Sequence, residues 1–131
     1  MTHTILVIED NRNIRHFIST ALTLENYRVR EASNLQDGLA LARGEHPDLI
    51  LLDLALPDGT GWDFLQSARA KPETRDVPVA ILTASADQGM ADRGIAAGAI
   101  AFITKPISAG DLVAFVRRTL NPDPTHSTRS E

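Results

Sequence analysis

The strongest constraint on the fold is a run of four apolar residues, 49–52, that ends directly in Asp53. A strand that is buried on both faces has this near-continuous apolar pattern, which is typical of the centre of a parallel sheet. Two other short apolar runs also end in charged residues, Glu9-Asp10 and Lys105. Because the carboxyl ends of parallel strands meet along one edge of a sheet, we expect these charged side chains to converge there.

Strand-length apolar runs alternate with helical patterns along the chain, and the alternation indicates right-handed crossovers and a parallel sheet covered on both faces. The second strand alternates in polarity and is expected at or near an edge, whereas the third is expected to be central. Asn26 and Gly44 are expected to end the first two helices, and residues 57–61 are expected to form a loop. The predicted strands are 5–8, 27–31, 49–52, 77–82 and 101–103, and the predicted helices are 11–25, 34–43, 62–70, 87–97 and 111–120.

Length and composition place limits on the class of protein. A chain of 131 residues is one domain; we expect it to occupy residues 1–120, followed by a disordered tail, 121–131, that has two prolines and no large apolar residue. The net charge of −4 argues against nucleic acid as a direct partner. No apolar run approaches the roughly 20 residues of a membrane span, and the amino terminus lacks the pattern of a secretory signal. We therefore expect a cytoplasmic protein with no membrane partner.

Three carboxylates, those of Glu9, Asp10 and Asp53, are expected within a few ångströms of one another. Two unit charges 4 Å apart repel by about 4 kcal/mol at an effective dielectric of 20, so an unneutralised cluster would destabilise the fold. Oxygen ligands of this kind suit Mg²⁺ (or Mn²⁺), and a metal site is the favoured explanation. The alternative interpretation is that these acids are ordinary solvated residues at strand ends. This alternative is less favoured once Asp53 and Lys105 are considered together with Glu9-Asp10.

Lys105 and Thr83 add groups that bind anionic oxygens at two further strand ends. Lysine carries a compact charge on a flexible stem, suited to one phosphoryl oxygen, and a threonine hydroxyl donates to such an oxygen. Lys105 precedes Pro106, and an X-Pro bond accepts cis geometry cheaply. A cis Lys105-Pro106 bond is our hypothesis for how the lysine is aimed back into the cleft.

Taken in order, these segments resemble the receiver domain of response regulators in two-component signalling. The resemblance runs from about Thr4 to Leu120. Each segment alone is a weak signal, but the ordered set at this spacing is specific. The segments are Glu9-Asp10-Asn11, residues 53–61 (DLALPDGTG), Thr83-Ala84, and Phe102-Ile103-Thr104-Lys105-Pro106.

The resemblance implies a flavodoxin-like (βα)5 fold, a doubly wound five-stranded parallel sheet in the order 2-1-3-4-5. It implies that Asp53 accepts a phosphoryl group from a histidine kinase or a histidine phosphotransfer protein. It also implies that Mg²⁺ is held by Asp10, Asp53 and the backbone carbonyl of Ala55, with Glu9 acting directly or through water.

Further roles follow from the same resemblance. Thr83, Lys105 and the backbone of Ala84 would bind phosphoryl oxygens, and Thr83 with Phe102 would form the conformational switch. Output would come from a protein target that docks on the face formed by the fourth helix, the fifth strand and the fifth helix. The protein would be a regulator rather than an enzyme, apart from its own phosphorylation and dephosphorylation, and a monomer or weak homodimer.

Three departures from the common family pattern stand out. Glu9 occupies a position where many members have aspartate, Ala55 is small where bulkier residues are frequent, and Ile100-Ala101 replaces a pair that is often acidic. The last change makes the surface near the fifth strand more apolar.

Other functions stay open at this level. A small phosphohydrolase with an aspartyl nucleophile commonly needs a second acid two residues later, where this chain has Ala55. A nucleotide or flavin binder would need glycine, serine or threonine after the first strand, where Glu9-Asp10 would repel phosphate. A docking module that is never phosphorylated is a further alternative, and the sequence leaves open whether the chain stands alone or belongs to a larger protein.

Overall fold

A parallel sheet forms the centre of residues 2–84 and 88–121, the residues that this computed structural model describes. The strand order is β2-β1-β3-β6-β7. β6 and β7 are the fourth and fifth strands of this sheet, because β4 and β5 form a separate hairpin, so the predicted order 2-1-3-4-5 is confirmed. β2 lies at an edge and β3 at the centre, as their polarity patterns predict. The strands of this sheet are β1 (Thr4–Ile8), β2 (Arg28–Ala32), β3 (Leu49–Asp53), β6 (Val79–Thr83) and β7 (Ala101–Thr104).

Helices follow these strands, and polar side chains fix where several of them begin. Asn11, Asn34 and Ser108 each precede a helix and accept a hydrogen bond from the backbone N–H three residues later, which satisfies one of the free donors of the first turn. The helices are α1 (Arg12–Thr23), α2 (Leu35–Glu45), α3 (Gly61–Arg69), α4 (Gln88–Ala97) and α5 (Ala109–Leu120).

Two apolar cores lie on opposite faces of the sheet, because successive side chains of a strand point in opposite directions. Leu6 and Ile50 contribute to the core beneath α2 and α3, whereas Leu49 and Leu51, on either side of Ile50 in β3, contribute to the core beneath α1 and α5. Both cores are fully buried at these strands. The central strand is therefore apolar at every position until Asp53, where the sheet edge begins.

Two local predictions were wrong. Residues 57–61 were expected as a loop, but a short antiparallel hairpin pairs β4 (Ala55–Leu56) with β5 (Gly59–Thr60), and Gly61 already belongs to α3. A capping box between Thr60 and Asp63 causes this early start. Gly44 does not end α2, because the helix continues to Glu45 and His46 takes the left-handed conformation after it, with φ of 49°. Asn26 does have positive φ, 70°, after α1.

Met1 and residues 85–87 and 122–131 lie outside the described residues, so the predicted tail and the predicted helix start at Asp87 are not tested. Within the part of the chain that is described, no helix combines the length and the apolarity that a membrane crossing requires.

Candidate functional site

The register of the sheet brings three carboxylates to one edge. Ile8 pairs with Leu52, so the next residues, Glu9 just after β1 and Asp53 at the end of β3, lie at the same level of the sheet. Glu9 and Asp53 are buried and Asp10 is exposed. One carboxylate oxygen from each of these three residues lies within 4.8 Å of the others. The sequence expectation that these acids converge therefore agrees with the geometry.

This donor set fits a hard divalent cation. Two ligands on opposite sides of Mg²⁺ are about 4.2 Å apart, because each Mg–O bond is about 2.1 Å. Carboxylate oxygens that already lie within 4.8 Å of one another need only small side-chain rotations to reach that spacing. Exposed Asp10 leaves the site open to solvent on one side, which suits a cation that keeps several of its waters.

Lys105 connects two of the three acids. Its Nζ lies 2.8 Å from Glu9 Oε1 and 3.2 Å from Asp53 Oδ2. The contact with Asp53 is a hydrogen bond, whereas the contact with Glu9 is an ion pair whose angles fall short of hydrogen-bond geometry. The Lys105-Pro106 peptide bond is cis. The backbone N–H of Lys105 also donates to the carbonyl of Thr83 at 2.7 Å, which fixes the start of the lysine against β6.

The charges of the cluster perturb one another. Burial raises the pKa of Glu9 to about 7, a hydrogen bond with Asp53 adds to the increase, and Lys105 opposes it. Burial lowers the pKa of Lys105, but the contacts with Glu9 and Asp53 outweigh this effect and leave that pKa above its ordinary value. The lysine thus stays an ammonium. Burial disfavours the ionised form of Glu9, and a divalent cation next to it would favour that form.

The loop after β3 folds back on the acidic cluster. The N–H of Ala55 donates to Asp53 Oδ1 at 3.1 Å, and the N–H of Gly61 donates to the carbonyl of Leu54 at 2.8 Å. A side chain at Gly61 would crowd Leu54 and the carbonyl of Asp53, at 2.9 and 3.0 Å, so the close return of the chain needs glycine there. Ala55 is therefore held next to Asp53.

Asp58, in the turn of the hairpin, has a role that the sequence interpretation missed. Its carboxylate accepts hydrogen bonds from the N–H groups of Leu35, at 2.6 Å, and Gln36, at 3.0 Å, in the first turn of α2. The hydrogen bond from Leu35 lowers the pKa of Asp58, in keeping with an anion at a helix N-terminus. A contact over 23 residues leaves no local pattern, so sequence reasoning assigned Asp58 only to a loop.

Thr83 and Phe102 lie on the same face of the sheet. Phe102 of β7 pairs with Ile81 of β6, and Thr83 comes two residues after Ile81, so its side chain points to the same face. Thr83 is buried at the end of β6, and its hydroxyl contacts the sulfur of Met90 in α4 at 3.8 Å. Phe102 is half-buried and packs against the core beneath α2 and α3. Ala84, at the same sheet edge, is exposed.

A largely apolar depression of about 540 Å³ borders the cluster on the side of α1. Its polar members are Asn13 and Lys105, and the rest of its wall is apolar. The side chain of Phe17 is 41% exposed in this wall. The apolar lining consists of Ile14, Phe17, Ala84, Pro106 and Ile107.

Arg15 braces the same edge from α1. Its guanidinium donates to the carbonyl of Glu9 at 2.8 Å and pairs with Glu31 of β2 at 3.1 Å. These contacts hold the end of β1 against β2. Arg15 is therefore tied to the backbone that presents Glu9 and Asp10.

Comparisons with known proteins agree with this geometry. The sequence profile of the response regulator receiver domain matches residues 5–117. The KDP operon transcriptional regulatory protein KdpE of Escherichia coli K12 is 39% identical over 127 residues, covering 92% of this chain and 55% of KdpE. The chain spans about half the length of the curated relatives it matches.

Solved structures with similar folds are also receiver proteins. The chemotaxis protein CheY4 of Vibrio cholerae superposes with a TM-score of 0.87 at 27% identity, covering 92% of this chain and 100% of CheY4. The receiver domain of the sensor histidine kinase PA1611 of Pseudomonas aeruginosa PAO1, with a magnesium ion coordinated in its active site cleft, gives a TM-score of 0.83 at 29% identity, covering 92% and 98%. This chain belongs to the response regulator receiver domain family.

Proposed function

We propose that Asp53 accepts a phosphoryl group from the phosphohistidine of a histidine kinase or a histidine phosphotransfer protein, with Mg²⁺ or Mn²⁺ as the cofactor. The observation that carries the proposal is the position of Lys105 Nζ, 3.2 Å from Asp53 Oδ2 within a cluster of three carboxylates. A nucleophilic carboxylate must stay ionised, and a neighbouring ammonium favours the ionised form.

The reaction proceeds by displacement at phosphorus. A carboxylate oxygen of Asp53 attacks the phosphorus atom, the P–N bond of the donor breaks, and its electron pair goes to the imidazole nitrogen. The product is an acyl phosphate on Asp53, and water later attacks it to release inorganic phosphate. The protein's part is to position groups and to neutralise charge, which is the main contribution of proteins to phosphoryl transfer.

Each residue of the cluster has a separate part in this reaction. Asp10, Asp53 and the carbonyl of Ala55 would bind the metal, with Glu9 acting directly or through water. When bound, the metal supplies positive charge that offsets the charge of the transferring phosphoryl group. Coordinated magnesium in the PA1611 receiver domain supports this assignment.

The phosphoryl oxygens would be bound by Lys105, the hydroxyl of Thr83 and the backbone N–H of Ala84. These residues follow or end β6 and β7, which lie on the side of β3 opposite to β1, and the ammonium of Lys105 reaches back to Asp53 and Glu9. Negative charge on three oxygens would thus be met by an ammonium and two neutral donors.

The depression next to Lys105 is the surface that we assign to the phosphodonor. It adjoins the lysine that contacts Asp53, and its apolar wall includes the exposed ring of Phe17. An aromatic side chain on such a wall is the kind of anchor that dominates protein–protein binding.

Output would come from a protein target that docks on the face of α4, β7 and α5. Ile95 in α4 and Ile100 next to β7 are 70% and 49% exposed, which gives this side of the molecule apolar contact area. We propose a cytoplasmic signalling domain over residues 1–120, active as a monomer or weak homodimer, without direct contact to nucleic acid or membrane.

Incubation with Mg²⁺ and phosphoramidate or acetyl phosphate tests the proposal. The intact mass should rise by one phosphoryl group, and the Asp53→Asn protein should stay unmodified under the same conditions. Chelation of the metal should abolish the reaction. Equal labelling of both proteins, or no labelling of either, would contradict the phosphoacceptor function and favour a docking module that is not phosphorylated.

A further inference from the structure

Two residues of α4 that lie one helical turn apart contact the two residues of the proposed switch. Met90 contacts Thr83, and Gly94 lies against Phe102. Residues at i and i+4 share one face of a helix, so a single face of α4 covers both members of the pair. This arrangement connects the phosphoryl-binding edge to a helix whose other side carries exposed Ile95.

The contact at Met90 involves the group that would bind the phosphoryl oxygen. The hydroxyl of Thr83 lies 3.8 Å from the sulfur of Met90, within reach of a weak hydrogen bond to a thioether. A hydroxyl carries one proton, so a Thr83 that donates to a phosphoryl oxygen no longer donates to this sulfur. The charged oxygen is the stronger acceptor.

The contact at Gly94 depends on the absence of a side chain. A Cβ atom at this position would overlap Cζ and Cε1 at the tip of the Phe102 ring. Gly94 therefore forms a notch in the inner face of α4, and the ring of Phe102 occupies it. Glycine destabilises a helix by about 1 kcal/mol relative to alanine. The space that the Phe102 ring needs explains why glycine stands at this position of α4.

We propose that Met90 and Gly94 are the residues through which α4 responds to the phosphorylation state of Asp53. In the resting protein the Met90 sulfur contacts Thr83 and the Gly94 notch seats Phe102. Phosphorylation draws the Thr83 hydroxyl to the phosphoryl group and Phe102 out of the notch, and α4 loses both contacts at once. This proposal rests on the proposed function and deepens it, because it names positioning residues for the switch.

Energetic coupling between residues 94 and 102 tests the proposal. The probe is beryllium fluoride with Mg²⁺, a phosphoryl analogue that binds an aspartate carboxylate, and the measured quantity is its apparent dissociation constant. Gly94→Ala displaces the ring and destabilises the resting arrangement, so beryllium fluoride should bind more tightly, by about threefold or more. In the Phe102→Leu background the same substitution should have no effect, because no ring tip remains to be displaced.

Gly44→Ala is the matched control. Gly44 also lies inside a helix, α2, but a Cβ there meets nothing within 4 Å, so this variant gains helix propensity without a new contact. It should leave the beryllium fluoride affinity unchanged. Mg²⁺ affinity without beryllium fluoride should be the same in all variants, since that step does not involve Thr83.

Met90→Leu is a second, independent variant that keeps the volume but removes the sulfur acceptor. It should also tighten beryllium fluoride binding, and it carries the test if Gly94→Ala does not fold. An unchanged or weaker affinity in the tested variant, or an equal effect of Gly94→Ala with and without the Phe102 ring, would overturn the proposal. If the wild-type protein binds no beryllium fluoride, the proposed function itself fails.

Discussion

Glu9 Oε1 and Lys105 Nζ lie 2.8 Å apart, although the strands that these residues follow, β1 and β7, are separated in the sheet by β3 and β6. The longer side chain of glutamate allows this contact, while its other oxygen accepts a hydrogen bond from the N–H of Asn11 at 3.1 Å. Glu9 is fully buried. Its charge therefore influences both the stability of the metal-free protein and the affinity for a cation.

We expect Glu9→Gln to stabilise the metal-free protein at pH 8 and to weaken Mg²⁺ binding. Burial raises the pKa of Glu9 to about 7 from an ordinary 4.5, so its contribution to the free energy of unfolding is fullest below pH 4.5 and is lost as the pH rises through 7. Glutamine removes that loss, which is on the order of 1 kcal/mol. Urea unfolding in EDTA and in MgCl₂ measures both effects.

The pH dependence is the control for this variant. At pH 5 Glu9 is already protonated, so wild type and Glu9→Gln should differ less in EDTA than they do at pH 8. A stability difference that is the same at both pH values would show that the charge of Glu9 is not its cause.

A second prediction concerns Asp58, which fastens the hairpin after β3 to the start of α2. Asp58→Asn should lower the melting temperature at pH 7 and weaken Mg²⁺ binding about twofold to tenfold, because Ala55 loses its support. The control is Asp111→Asn, an acidic residue in the first turn of α5. An unchanged Mg²⁺ affinity in Asp58→Asn would contradict the role of Asp58 in positioning Ala55.

The same residue gives a pH prediction at the acid end. The hydrogen bond from Leu35 holds the pKa of Asp58 below 3.8, so the stability that this carboxylate contributes is present above pH 3.8 and is lost as the pH falls through the lowered value. Asp58→Asn should therefore lose less stability than wild type on acidification from pH 5 to pH 3. Acid titrations followed by circular dichroism measure the difference.

A third prediction separates donor recognition from chemistry. Phe17→Ser should slow phosphotransfer from a phosphorylated donor protein by about fivefold or more, because an aromatic anchor is lost, and should leave labelling by phosphoramidate unchanged. Leu24→Ser is the control, since Leu24 is 76% exposed at the end of the same helix but does not border the depression. Equal slowing of both reactions would place the effect at Asp53 rather than at the donor surface.

A fourth prediction uses Trp62, the single tryptophan of the chain. The guanidinium of Arg93 in α4 lies 4.3 Å from the centre of the Trp62 ring, a cation–π contact between α3 and α4. Beryllium fluoride with Mg²⁺ should change the emission of Trp62 if α4 moves, and Arg93→Ala should abolish most of that change. An identical response in Arg93→Ala would mean that Trp62 senses something other than α4.

The sheet could be predicted from sequence because its signal is local. The apolar run before Asp53 indicates a buried central strand, and the polar alternation of 27–31 indicates an edge strand. The complete strand order came from the family resemblance. The convergence of Glu9, Asp10 and Asp53 followed from the same topology. Residues at the carboxyl ends of neighbouring parallel strands lie along the same edge of the sheet.

Contacts between distant segments could not be predicted in this way. Asp58 meets Leu35, Arg93 meets Trp62, and Gly94 meets Phe102 only after the helices are packed. Gly94 illustrates the difficulty, because a glycine inside a helix is a weakness when judged from the sequence alone. Its packing against an aromatic ring becomes visible only in three dimensions.

Alternation of side chains along each strand has a final consequence for how such a protein diversifies. Leu51 serves the core under α1 and α5 while its neighbour Leu52 serves the core under α2 and α3. The sheet thus separates the wall that bears Phe17 from the face of α4 that bears Met90 and Gly94. Under the proposed function, substitutions near Phe17 would alter the choice of phosphodonor while the contacts of Met90 and Gly94 on the opposite side of the sheet stay unchanged.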